Sequence, residues 1–167
     1  MKKWISPIER NFHFIWIGDK EKPDFFKLFL DGFKKKCPEF KIKVWSNKDL
    51  TKKNFPKTYS YIQKVKSMHG KKIRSDSLDL TDYNTKGEPR YYNKWAQITD
   101  LMRLEIVYNR GGYYFDTTFE CLKPLFDLFN IPKKKFIGCN ESPKDSSYLS
   151  NAFFGAKKGS IILKRLL

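Results

Sequence analysis

Asp100, Arg103 and Asp116 are the side chains of this sequence best placed to do chemistry together. They lie in the stretch AQITDLMRLEIVYNRGGYYFDTTFE, from Ala96 to Glu120. Asp100 and Arg103 are three residues apart, so on a helix they share a face and set carboxylate acceptors beside a forked cationic donor. Asp116 stands where the aromatic run YYF ends. In open α/β sheets, ligands bind beyond the carboxyl ends of the strands. Two acids and a guanidinium gathered there mark this edge as the place of function. Taken alone, the Asp100–Arg103 pair would be a surface ion pair worth about 0.5 kcal/mol, and Asp116 a strand-end residue capping the next turn.

The elements that must position these groups can be read along the chain. FHFIWI at 12–17, closed by Gly18-Asp19, predicts a buried strand and a turn. DFFKLFLDGFKKK repeats its phenylalanines at helical spacing, with Asp24 as N-cap and Cys37-Pro38 as the stop. KIKVWS at 41–46 alternates as a second strand, and Asn47 and Asp49 open the next turn or helix. Strand–helix–strand predicts a right-handed parallel crossover. A helix at 59–68 follows, and then a polar stretch at 70–94 with no sustained periodicity, read as an irregular excursion. Ile98, Leu101, Met102 and Ile106 form the apolar stripe of a helix over 95–109. Gly111-Gly112 supplies its left-handed cap, and YYF at 113–115 is the next strand. Tyr113 and Tyr114 alternate, so one faces the core and one the site. Beyond them come a short helix or turn after Pro124, a short strand FIG, a strand or loop within 147–160, and an apolar helical stripe in IILKRLL.

With 167 residues, 40% apolar, and 15 Phe, 9 Tyr and 4 Trp, the chain reads as one domain, residues 1–167, with a modest core. No run approaches the roughly 20 apolar residues of a membrane-spanning helix, and no signal peptide is recognised at the N-terminus. The three cysteines and two histidines show no metal-ligand spacing, so each cysteine reads as a small apolar filler in a reducing compartment. His13, inside an apolar strand, reads as a core histidine with its hydrogen bonds satisfied. The expected location is cytoplasmic, with a basic surface able to make peripheral contact at the inner face of a membrane. The net charge of +16 attracts polyanions, but the lysines are scattered in the manner of a solvated surface. No helix-turn-helix, RRM signature or zinc motif accompanies the charge. A nucleic-acid-binding module is therefore the minor alternative.

Four segments fall in one order: HFIWIG, CPEFKIKVWS, TDLMRLEIVYNRGGYYFDTTFE and NAFFGAKKG. Together they resemble the glycosyltransferase family defined by its DxD-containing sugar-binding region. That family includes initiating mannosyltransferases and capsule polysaccharide enzymes, and has a distant similarity to the glucosylating domains of clostridial toxins. The family core reads Ser-Asp-x-x-Arg, then Gly-Gly-x-Tyr-x-Asp-x-Asp.

The resemblance implies a GT-A fold: a Rossmann-like α/β domain with a mostly parallel central sheet flanked by helices, here with a short or truncated C-terminal part. It implies a UDP- or GDP-sugar donor, a glycan or glycolipid acceptor, transfer with retention, and Mn2+ or Mg2+ as cofactor. Ile15 and Trp16 match the donor's base site, Asp100 and Arg103 the grip on the donor sugar, and Asp116 the first acid of DxD. Tyr114 joins the donor site, and Asn151 opens the segment facing the acceptor. Catalytic roles fall to Asp116, Asp100 and Arg103. The second acid of DxD is Thr118 here, a poor ligand for a hard divalent cation. Glu120, two positions on, faces the same side only if the strand stays extended that far. The metal ligands expected on this basis are Asp116, Glu120 and Thr118. The missing acid leaves a catalytically degenerate relative as the alternative.

Overall fold

The structure is a computed structural model and describes residues 3–18, 20–68, 81–83, 89–91, 94–142 and 145–167. Its elements in chain order are β1 (Asn11–Ile15), α1 (Asp24–Lys36), β2 (Lys41–Trp45), a 3-10 turn (Asn47–Asp49), α2 (Pro56–Met68), β3 (Thr81–Tyr83), β4 (Pro89–Tyr91), α3 (Lys94–Arg110), β5 (Gly112–Phe115), α4 (Phe126–Phe129), β6 (Phe136–Ser142), β7 (Asp145–Ala156) and α5 (Ile161–Leu166). Five strands form one sheet in the order β2-β1-β5-β7-β6.

The sheet is mixed. β1 pairs in parallel with β2 and β5, because each connection returns through a helix. β7 runs antiparallel to both β5 and β6. The β6–β7 connection is too short for a crossover, so a hairpin is the only way to pair them. The sequence reading of 147–160 as a strand or loop thus resolves as a long strand that reverses direction beside β5.

Side-chain alternation divides the apolar residues between the two faces of the sheet. On one face Phe12 and Phe14 of β1, and Tyr113 and Phe115 of β5, pack with Phe26 and Phe33 of α1, Phe40 and Phe129. Phe12 stacks on Phe40 at 4.1 Å between centroids, and Tyr113 on Phe129 at 4.3 Å. On the other face Ile15, Trp45 and Tyr114 pack with Ile98, Met102, Ile106 and Val107 of α3, Ile62 of α2 and Leu163 of α5. The result is helices on both sides of a central sheet.

Two glycines are required by close approach. A Cβ on Gly155 would run into the ring of Tyr113, the strand neighbour that it faces. Gly112 has φ +102°, and a Cβ there would collide with the Asn11 carbonyl. β5 is therefore drawn tightly between β1 and β7.

Buried polar groups are satisfied. His13 donates from Nε2 to the Gly111 carbonyl at 2.9 Å and accepts at Nδ1 from the Trp45 indole at 3.4 Å. Trp45 can only donate and a carbonyl can only accept, which sets this tautomer. Burial pulls the imidazole pKa down to about 4. Glu105 accepts from the Lys57 and Thr58 amides and from the Thr58 hydroxyl, capping the free N–H groups at the start of α2. That cap, together with Pro56 in the first turn, starts α2 three residues before the periodic stretch at 59–68 begins.

Other expectations shift in detail. Pro23, not Asp24, is the cap of α1. Most of 70–94 lies outside the described residues, yet β3 and β4 within it pair as an antiparallel ladder. Cys37 and Cys121, 84 residues apart, meet in the core with sulfurs 3.7 Å apart, and burial pushes the Cys37 thiol up to about 12. Cys139 is exposed, so it is not a core filler.

Candidate active site

Parallel pairing brings the ends of β1 and β5 out at the same edge of the sheet. The segments that leave them, Trp16–Gly18 and Asp116–Thr118, line a cavity of about 540 Å³ with the first turns of α3 as its other wall. That volume is within the usual range for small-molecule sites. Ile15, Trp16, Arg103, Tyr114, Asp116 and Thr118 all border it, as do Lys20, Trp95 and Thr99.

Arg103 organises the site. It comes from α3, is nine-tenths buried, and lies 3.1 Å from Asp100 and 3.2 Å from Asp116. Its Nη1 donates to the Asn151 carbonyl at 2.7 Å and its Nε to the Thr99 carbonyl at 3.3 Å. The guanidinium carbon sits 4.7 Å from the centre of the Tyr114 ring, a cation–π contact. Tyr114 donates its hydroxyl to Asp116 at 2.6 Å, and Asn151 donates its side-chain amide to Asp100 at 3.0 Å. Four elements or their ends thus converge: α3, β5, β7 and the turn after β5.

The guanidinium has five N–H groups, and these contacts occupy four. Arg103 is therefore chiefly a clamp, holding two carboxylates that remain accessible, Asp100 half-exposed and Asp116 one-third exposed. Partial burial raises the Asp100 pKa; the Arg103 charge opposes the rise and the Asp116 charge adds to it. The Tyr114 phenol is also pushed up, first by burial, so it stays a hydrogen-bond donor to Asp116 at neutral pH.

The sequence-derived residues are brought together with two qualifications. Asp100 and Asn151 reach the cavity through Arg103 and do not themselves border it. Glu120 fails its condition. β5 ends at Phe115, and the Phe119 amide bonds back to the Asp116 carbonyl, closing a turn. The extended geometry that would set Glu120 beside Asp116 is absent, and Glu120 does not border the cavity.

The residues present do not fit a divalent cation. Hard cations take several oxygen ligands, charged ones by preference. One oxygen of Asp116 is already engaged by Tyr114 and Arg103, and the Arg103 charge would repel a dication beside it. Among the described residues no group of three His, Cys, Asp or Glu could hold a metal ion.

Sequence reasoning missed Lys20, Trp95 and Thr99. Thr99 was legible as the neighbour of Asp100, and Trp95 as lying on the same helix five residues before it. Lys20 follows a turn and has no periodic signal. Gly18 explains Trp95: with φ +108°, it lets the backbone pass so close that a Cβ would lie 3.1 Å from the indole nitrogen. The Asn47 amide brackets the same glycine, accepting its N–H at 2.8 Å and donating to its carbonyl at 2.9 Å.

Comparison with known proteins agrees with this fold. The fold is similar to the PaToxG glycosyltransferase, with TM-score 0.61 and 16% identity over 94% of this chain and 58% of that one. It is also similar to the ligand-free glycosyltransferase domain of the YGT toxin, with TM-score 0.58 and 12% identity over 96% and 62% of the two chains. The likeness is to GT-A-like α/β domains. A toxin of Photorhabdus asymbiotica subsp. asymbiotica is 28% identical over an alignment of 131 residues, taking in 68% of this chain and 4% of the toxin. The chain thus spans less than two thirds of each of these relatives. Residues 23–137 match the family described as the glycosyltransferase sugar-binding region containing the DXD motif; α1 to α4, with the Asp100–Arg103–Asp116 cluster between them, fall inside that span, and the chain belongs to this glycosyltransferase family.

Proposed function

We propose that the chain binds a UDP- or GDP-sugar in the cavity at the ends of β1 and β5 and transfers its sugar to a hydroxyl of a glycan or glycolipid, with retention. The observation that carries this reading is the Arg103 clamp. It holds two carboxylates in fixed orientation beside a cavity that Trp16 also borders. Carboxylates accept hydrogen bonds from sugar hydroxyls, and an indole offers a flat apolar face for a base.

In the reaction a bond forms between the acceptor oxygen and the anomeric carbon while the bond from that carbon to the phosphate oxygen breaks, and the acceptor hydroxyl's proton passes to the departing phosphate oxygen. The electron pair leaves with the nucleoside diphosphate. Asp116, which borders the cavity, positions the sugar so that its anomeric carbon faces the acceptor, and Asp100 supports it through the shared Arg103 guanidinium, which is a gain in orientation. Tyr114 holds Asp116 from beneath, and Asn151 holds Asp100. No step is assigned to a metal ion, because the residues described do not provide for one.

Titration calorimetry with a panel of UDP- and GDP-sugars tests the reading. At least one donor is expected to bind, and Asp116→Asn is expected to weaken it by about tenfold or more, the loss of a charged acceptor. Absence of binding by every donor, in protein with a cooperative unfolding transition, would contradict it. Thr118 favours a second reading, that donor is bound but turned over slowly. Under that reading, binding persists while the rate of sugar release, to water or acceptor, stays near background.

A further inference from the structure

We infer that Lys20 supplies the positive charge facing the donor's diphosphate, so that donor is held without a divalent cation. The inference rests on the donor-binding reading above and goes beyond it. A nucleoside diphosphate needs cationic neutralisation both to bind and to leave. Among the described residues, the two cationic side chains that border the cavity are Arg103 and Lys20. Arg103 is committed to two carboxylates and two carbonyls. Lys20 pairs with no carboxylate among the described residues.

Its backbone is anchored in place: the Trp16 indole donates to the Lys20 carbonyl at 2.9 Å. The residue that offers a face to the base thereby also ties down the residue that meets the phosphates. Lys20 also borders an adjoining hollow of about 470 Å³, which shares Trp16 and Gly18 with the cavity. Lys22, Lys27 and Lys48 line that hollow, with Glu21 as its one acid among the described residues. The positive field there favours an anion at the cavity mouth. Where the family places a second acid and a cation, this chain has Thr118 and an ammonium that no described carboxylate engages.

The test is calorimetry with UDP and GDP, at low ionic strength, in EDTA and again with excess Mn2+. Lys20→Met keeps the aliphatic stem, and Lys20→Arg restores a cation. Expected is binding in EDTA, changed less than about threefold by Mn2+. Lys20→Met should weaken it by about ten- to a hundredfold, as for a lost charged hydrogen bond, and Lys20→Arg should recover most of it. Lys48→Met, altering the neighbouring hollow alone, should change it less than about threefold.

Binding that requires Mn2+ and ignores Lys20→Met would overturn the inference and leave the donor site standing. Equal losses from Lys20→Met and Lys48→Met would show a diffuse field and overturn the assignment to Lys20. No binding of either nucleotide under any condition would sink both this inference and the donor reading. Lys20 is exposed, and the unfolding midpoint of each variant reports whether the fold is intact.

Discussion

The two sides of β5 put neighbouring tyrosines to opposite uses. Tyr113 and Phe115 point into rings: Tyr113 lies flat on Phe129, and Phe115 touches Phe12, Phe14, Phe33 and Phe153. Tyr114 points the other way, under a guanidinium and against a carboxylate. Both tyrosines are at most 2% exposed, so burial does not distinguish them. What differs is the surroundings. One side is held by apolar contact, in which each ring is replaceable only at the cost of a void. The other holds a buried cation, which needs every one of its partners. A strand with its aromatic side in the core can present its polar side, rigidly, to a ligand.

Breaking the apolar side should cost most. Tyr113→Ala should destabilise by about 3–5 kcal/mol, as large-to-small core changes do, measured by urea unfolding. A loss below about 1 kcal/mol would mean that the ring cluster is not a packed core. Removing the clamp comes next. Arg103→Ala leaves two carboxylates facing one another, and about 2–3 kcal/mol should be lost. Because Asp100 and Asp116 are partly solvated, the loss should stay below that of Tyr113→Ala. The reverse order would erase the contrast between the two sides.

His13 lies on the α3 side of the sheet but in a closed part of it. Its folded pKa, about 4, is below the unfolded 6.5. Between those values the unfolded chain binds more protons, so stability is full above pH 6.5 and falls as pH drops toward about 4. The loss attributable to this group is about 3 kcal/mol at most. His13→Gln should lose less stability than wild type between pH 7 and 4.5. Equal slopes would place the imidazole in contact with water.

The smallest effect is expected from Tyr114→Phe, which removes a single hydroxyl from Asp116. About 1 kcal/mol of stability should go, with a measurable loss of donor affinity. An effect on stability with none on binding would make Tyr114 purely structural.

Much of this was legible in the sequence because it rests on local periodicity. The i,i+3 spacing of Asp100 and Arg103 does place them on one helix face, and Gly111-Gly112 does end α3. Alternation predicted that Tyr113 and Tyr114 would part, but not which would face the site. That choice depends on which side of the sheet α3 covers, a tertiary fact. Glu120 was misplaced because a turn closed by one backbone hydrogen bond at Asp116–Phe119 leaves no pattern in TTFE. The antiparallel half of the sheet was hidden for a similar reason. The β6–β7 hairpin turns on a connection of two residues, between Ser142 and Asp145, and the direction of a strand is not written in its composition. The clamp role of Arg103 needed Asn151 to arrive from β7, 48 residues away.

A crystal structure at saturating UDP- or GDP-sugar tests the central claim most directly. The account predicts a donor in the cavity between Trp16 and Arg103, with a sugar hydroxyl within about 3.2 Å of the Asp116 carboxylate. A donor bound elsewhere on the molecule, or one whose sugar faces away from Asp116, would contradict it.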